Sequence, residues 1–231
     1  MAKKPKGFFI TGTDTDIGKT FVSRLLVNHF SCSRKVTYMK PVQTGCEFDK
    51  DGTVKVPDLD YVLPDKTMMS STLDNHVPYR FKPACSPHLA ATLDSQLISL
   101  EHIRQCFLPV SSPVDLTIVE GAGGVLAPLS ETTFMVDLMV HLQLPVILVT
   151  SPHLGTLNHT FLSIKALHHS GVVLAGIVLN NSRNIPKDYL YYDNMRMIMD
   201  HTRPVPFLEV SYGEYDEQRL DTFCTQIQNA L

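Results

Sequence analysis

The residues Thr11-Gly12-Thr13-Asp14-Thr15-Asp16-Ile17-Gly18-Lys19-Thr20 combine glycines, a lysine and a closing hydroxyl in the order that grips phosphate. Glycine lets backbone N–H groups approach phosphate oxygens, Lys19 brings charge to the β and γ positions, and Thr20 offers a hydroxyl to Mg²⁺. Counting back from Gly18-Lys19-Thr20, Thr13 stands where the common pattern G-x-x-x-x-G-K-[ST] has glycine, and Gly12 falls one place too early. The chemistry that fits is nucleoside triphosphate binding.

Such a loop works only between a strand and a helix. The apolar run Phe8–Ile10 precedes it, and Phe21-Val22-x-x-Leu25-Leu26-Val27-x-x-Phe30 follows with helical spacing. Further apolar runs bounded by turn residues occur at Val36–Met39, Leu116–Val119, Val146–Val149 and Leu174–Leu179. Helical patterns span Lys19–Phe30, Pro87–Leu93, Leu100–Phe107, Phe134–Leu142, Leu157–His169, Lys187–Asp200 and Glu217–Leu231. The alternation predicts an α/β fold, a mostly parallel sheet flanked by helices on both faces in a P-loop NTPase architecture. Ser86-Pro87 reads as a helix start with a hydroxyl cap, and Gly171 as a helix stop. Between Pro41 and Pro83 the pattern dissolves into a long connection.

A chain of 231 residues with 44% apolar and 19% charged content is expected to form one domain over residues 1–231. A net charge of −3 gives no footprint for nucleic acid, and Lys3-Lys4-Pro5-Lys6 reads as a solvated tail. The five cysteines are scattered without a C-x-x-C pair, which suits a reducing compartment. No signal-like or membrane-spanning apolar stretch is present, so the expected location is the cytoplasm, with no membrane partner.

In an open parallel sheet, ligands sit beyond the carboxyl ends of the strands. Those ends here carry Lys40-Pro41-Val42-Gln43-Thr44-Gly45, Glu120-Gly121-Ala122-Gly123-Gly124, Thr150-Ser151-Pro152-His153-Leu154-Gly155 and Asn180-Asn181. Glu120 beside a phosphate loop suits Mg²⁺, and the glycines after it allow close backbone approach. Lys40 at a buried strand end calls for an anion. Asp58 and Asp60 are alternative metal carboxylates. His153, His159, His168 and His169 receive no catalytic role, and Met195, Met197 and Met199 read as helix packing and surface.

Taken together, G-T-D-T-D-I-G-K-T, K-P-V-Q-T-G, S-P-H, V-E-G-A-G-G-V-L-A-P-L-S, L-P-V-I-L-V-T and H-L-G-T-L-N-H resemble the dethiobiotin synthetase family, in order from about Gly7 to Leu208. Threonine ahead of the usual glycine is itself a mark of that family. The resemblance implies an ATP- and Mg²⁺-dependent cyclo-ligase that turns 7,8-diaminononanoate and CO₂ into dethiobiotin, with ADP and phosphate as the other products.

It also implies that Thr13, Asp14, Thr15, Asp16, Ile17, Gly18, Lys19 and Thr20 cradle the triphosphate, and that Thr20, Asp58 and Glu120 surround Mg²⁺, with Asp60 the alternative to Asp58. Lys40 and Lys19 would act at the carbamate and γ-phosphate, with Thr13 as a third catalytic residue, and Thr44 would contact the carbamate. Gly121, Ala122 and Gly123 would line the site. Asn180 would read adenine beside Pro206, Phe207 and Leu208. Leu154, Gly155 and Asn158 would meet the substrate's carboxylate tail across a homodimer interface, joined by Tyr192 or by Tyr191. The competing reading is a P-loop switch ATPase. That class typically has a second lysine early in the loop, where this chain has Thr13-Asp14-Thr15-Asp16.

Overall fold

The computed structural model describes residues 6–50 and 52–231. Lys3, Lys4 and Pro5 of the basic tail lie outside the described residues. The chain runs β1 (Gly7–Gly12), α1 (Lys19–Ser31), β2 (Val36–Met39), β3 (Val42–Thr44), β4 (Glu47–Phe48), β5 (Val54–Lys55), α2 (Pro57–Val62), α3 (Leu73–His76) and β6 (Tyr79–Phe81). It continues with α4 (Pro87–Leu93), α5 (Leu100–Ser111), β7 (Leu116–Gly124), α6 (Met135–Leu142), β8 (Val146–Thr150), α7 (Thr156–His169), β9 (Leu174–Asn180), α8 (Tyr189–Thr202), β10 (Phe207–Val210) and α9 (Glu217–Ile227).

The main sheet has six strands in the order β10-β9-β8-β1-β7-β2, parallel throughout. Alternation along each strand sends neighbouring side chains to opposite faces. On one face Phe8, Ile10, Ile118 and Val149 meet Leu26 and Phe30 of α1, Leu59 and Val62 of α2, and Leu220 and Phe223 of α9. On the other, Phe9, Val119 and Leu148 meet Ile103 and Phe107 of α5 and Leu138 and Met139 of α6. Ile177 and Leu179 of β9 pack with Tyr191 and Ile198 of α8. Burial on both faces is why these strands read as continuous apolar runs.

The expected strands and helices are present with shifted ends. β7 continues past Val119 through Glu120 to Gly124. α5 runs through Pro109 to Ser111, because Ile103, Cys106, Phe107 and Val110 keep their buried spacing while Pro109 sits exposed. Ser86 occupies the N-cap of α4, with Pro87 following, yet its side chain makes no capping bond. Gly171 ends α7 with φ +70°. The stretch from Pro41 to Pro83 is not a featureless connection: it holds β3 paired with β6, the β4–β5 ribbon, and two short helices. The sheet also gains β10, whose four residues extend it beyond β9. No helix among the described residues is long and apolar enough to cross a membrane.

Candidate active site

β1 delivers the chain to the phosphate loop at the carboxyl edge of the sheet, and a Cβ on Gly12 would lie 2.3 Å from Ile17 Cδ1, so the Ile17 side chain would have to shift to admit it. Ile17 itself is buried, and its carbonyl accepts a hydrogen bond of 2.8 Å from Asn180 Nδ2 at the end of β9. Gly18 then turns with φ +89°, so close to that amide that a Cβ would lie 2.0 Å from Asn180 Nδ2. Both constraints demand glycine at this position. Gly18 is the N-cap of α1, with no side-chain cap and no acid in the first turn. The loop thus presents a helix N-terminus to an anion.

Thr15, Asp16, Gly18, Lys19 and Thr20 line a cavity of about 410 Å³ together with Lys40, Val42, Gln43, Thr44, Asp58, Glu120, Ala122 and Gly123. Residues from the phosphate loop, from the end of β2, from β3, from α2 and from β7 therefore share one space. Lys19 Nζ donates to the Asp14 carbonyl at 2.8 Å, which holds the ammonium over the loop. Burial pulls its pKa down to about 8, aided by the nearby charge of Lys40 and opposed by Glu120, Asp58 and Asp16.

Lys40 is 4% exposed and its charge is met by carboxylates, with Asp58 Oδ2 at 2.6 Å and Glu120 Oε1 at 2.8 Å. Burial favours the neutral amine, but Glu120 and Asp58 outweigh it, and the pKa of Lys40 is raised. Its Nζ also donates to the Gly121 carbonyl at 3.2 Å. Glu120 is 0% exposed, so its charge must be fully solvated by protein. Oε1 accepts from Thr20 Oγ1 at 2.9 Å as well as from Lys40, while Oε2 accepts from Ser23 Oγ at 2.8 Å and Tyr38 Oη at 2.9 Å.

The two aspartates of α2 separate. Asp58 turns into the cavity, whereas Asp60 pairs with Lys66 at 2.6 Å and accepts from the Val56 N–H. The tyrosines of α8 separate too. Tyr191 is fully buried and donates to Glu209 at 2.7 Å, while Tyr192 is half exposed.

The remaining expected residues lie outside that cavity. The Thr13 N–H donates to the Val149 carbonyl, and Thr13 and Asp14 line a neighbouring groove with Leu126, His159 and Leu162. Leu154, Gly155 and Asn158 are exposed at the start of α7, with Leu154 79% exposed. Pro206 precedes β10 and its carbonyl pairs with the Ile177 N–H, Phe207 faces a surface groove with Met195 and Met199, and Leu208 is buried in the core.

Sequence reasoning missed Ser23 and Tyr38, and named Gln43 only within the strand-end segment Lys40 to Gly45. The signal for the first two was available, since Ser23 stands three residues after Thr20 on α1 and Tyr38 stands two before Lys40 along an extended chain.

The profile of the AAA domain family matches residues 6–211. The ATP-dependent dethiobiotin synthetase of Fusobacterium nucleatum is 34% identical over 95% of this chain and 99% of its own. That of Anoxybacillus flavithermus is 36% identical over 85% of this chain and 87% of its own. Among solved structures, a plasmid partition protein from Borrelia burgdorferi shares the fold with a TM-score of 0.57 at 10% identity, over 98% of each chain. Identity at this level across nearly the whole length decides among the proteins that share the fold: the chain belongs to the ATP-dependent dethiobiotin synthetase family.

Proposed function

We propose that this protein closes a cyclic urea, converting 7,8-diaminononanoate, CO₂ and ATP into dethiobiotin, ADP and phosphate in biotin biosynthesis. Family membership gives the reaction, and one observation ties it to the chain's own residues. Two buried lysines, Lys19 and Lys40, face a single cavity with Thr20, Asp58 and Glu120. The arrangement is that of a site that gathers an anionic donor and an anionic acceptor.

In the proposed sequence, one substrate amine adds to CO₂, giving a carbamate and releasing a proton. The carbamate oxygen attacks the γ-phosphorus of ATP and ADP departs. The second amine then attacks the carbamoyl carbon, and phosphate leaves and the amine gives up a proton as the ring closes. Lys19 and the N-terminus of α1 hold the β and γ oxygens. Lys40 lines the same cavity, where its charge offsets that of the carbamate and of the transferring phosphoryl group. Thr44 lines the same space and supplies a hydroxyl to the carbamate. The main contribution is alignment of the two anions.

The donors of Thr20, Asp58 and Glu120 are a hydroxyl and carboxylates, which suit a hard divalent cation. These residues would hold Mg²⁺. When bound, Mg²⁺ would neutralise charge on the β and γ phosphates. Asp58 rather than Asp60 is proposed as the loop carboxylate, because Asp60 is already engaged by Lys66.

A homodimer fits the exposed group at the start of α7. Leu154, Leu126 and Leu162 stand more than half exposed, and Tyr192 is half exposed. Leu154, Gly155, Asn158 and Tyr192 are proposed to receive the substrate tail from across that interface, and Asn180 with Pro206, Phe207 and Leu208 to lie toward the adenine. Residues 1–231 would form one domain working in the cytoplasm, in keeping with five free cysteines. Incubation with ¹³C-bicarbonate, diamine and ATP tests the chemistry: the label should appear in the ureido carbonyl of the product, and its absence there would overturn the proposal.

A further inference from the structure

The four hydrogen bonds to Glu120 divide by oxygen. Oε1, on the cavity side, accepts from Thr20 and Lys40, both of which line the cavity. Oε2 accepts from Ser23 Oγ and Tyr38 Oη, neither of which lines it. Tyr38 is 0% exposed and its ring belongs to the core formed with Val36, Leu59, Val62 and Ile118. Its hydroxyl therefore has little freedom to move away from Oε2. Ser23 is also 0% exposed and is fixed by its place on α1.

A carboxylate whose inner oxygen is held from two directions cannot rotate to present both oxygens to a cation. We propose that Tyr38, together with Ser23, is a positioning residue that holds Glu120 as a one-oxygen ligand, with Oε1 aimed at the metal position. This rests on the reading of Thr20, Asp58 and Glu120 as the holders of Mg²⁺. Tyr38 touches neither metal nor substrate and acts through Glu120. Tyr38 shares one core cluster with Leu59 and Val62 of α2, which carries Asp58, so the two carboxylates are set by one piece of core.

The test uses the full chain with a non-hydrolysable ATP analogue and Mn²⁺ as a spectroscopic probe, bound metal being read by electron paramagnetic resonance. Tyr38→Phe keeps the ring and removes the hydroxyl. It should weaken Mn²⁺ binding about 10-fold, while binding of the analogue in excess chelator stays within about twofold of wild type. A role limited to packing would lower the unfolding temperature without moving that ratio. Ser23→Ala is measured in parallel, so that poor folding of one variant leaves the other to decide, and it should shift Mn²⁺ binding in the same direction. Mn²⁺ affinity within about twofold of wild type in the folded variants would overturn the inference. A wild-type protein that binds the analogue but no Mn²⁺ would overturn the metal reading beneath it, an outcome distinct from the first.

Discussion

Lys40 Nζ lies 2.8 Å from Glu120 Oε1, and the two side chains are almost wholly shut off from solvent. On the proposed reading, a cation taken up by Glu120 frees the ammonium of Lys40 for an anion. Lys40→Gln keeps a neutral donor near Glu120 but removes the charge. Turnover should fall about 100-fold while ATP binding changes little. Steady-state kinetics beside a direct ATP titration checks this, and an unchanged kcat would dismiss the electrostatic role of Lys40.

Lys19 makes a defined contribution to the pH dependence of the free protein. Its folded pKa of about 8 lies below the ordinary lysine value, so the unfolded chain binds more protons between those two limits. Lys19 therefore contributes stability that rises with pH across that window, by at most about 1.4 kcal/mol per pH unit; the contribution is read as the difference between wild type and Lys19→Ala, because burial pushes the thiols of Cys46 and Cys224 up to about 11 and about 12, and these lower stability as pH rises past 9. Lys40, with a raised pKa, stays charged in the folded protein and opposes that rise only near the top of the window, where the unfolded lysine begins to lose its proton. Triphosphate binding should take up a proton onto Lys19 above pH 8, seen as buffer-dependent heats in calorimetry. Lys19→Ala should abolish that proton uptake and most of the affinity without unfolding the protein.

Gly18 allows no side chain. Gly18→Ala places a methyl group against the Asn180 amide at a φ of +89°, so the loop must move to accept it. The expected cost is about 2 kcal/mol in stability, with loss of nucleotide binding. Gly171→Ala is the control, because its φ is +70° and a Cβ there meets nothing within 4 Å. It should cost about 1 kcal/mol and leave nucleotide binding intact. Chemical denaturation with a nucleotide titration separates the two.

The exposed start of α7 gives a prediction about assembly. Leu154→Glu should shift sedimentation toward monomer and depress turnover of the diamine, while ATP binding to each chain survives. A wild-type protein that sediments as a monomer at assay concentration would contradict the proposed interface.

Much of the phosphate site was legible because its signals are local. Thr13 through Thr20 sit in one stretch, and Lys40 and Glu120 follow apolar runs that can only be buried strands. The choice between Asp58 and Asp60 was not legible, since α2 lies in a segment without a clear period and its direction is set by Leu59 and Val62 packing on the sheet. β10 was missed for a similar reason. It lies between α8 and α9, but its four residues include the charged Glu209 and so do not read as an apolar run, and it forms by pairing with β9. Tyr38 escaped notice because a tyrosine in a strand reads as core, and only the placement of its hydroxyl on Glu120 gives it a further role.

The central claim is best tested by following ADP and dethiobiotin together with Mg²⁺, bicarbonate and ATP, with and without 7,8-diaminononanoate. The account predicts that ADP appears only with the diamine and that each ADP is matched by one dethiobiotin. ATP hydrolysis indifferent to the diamine, with no dethiobiotin formed, would contradict it and leave a nucleotide switch as the better description of this cavity.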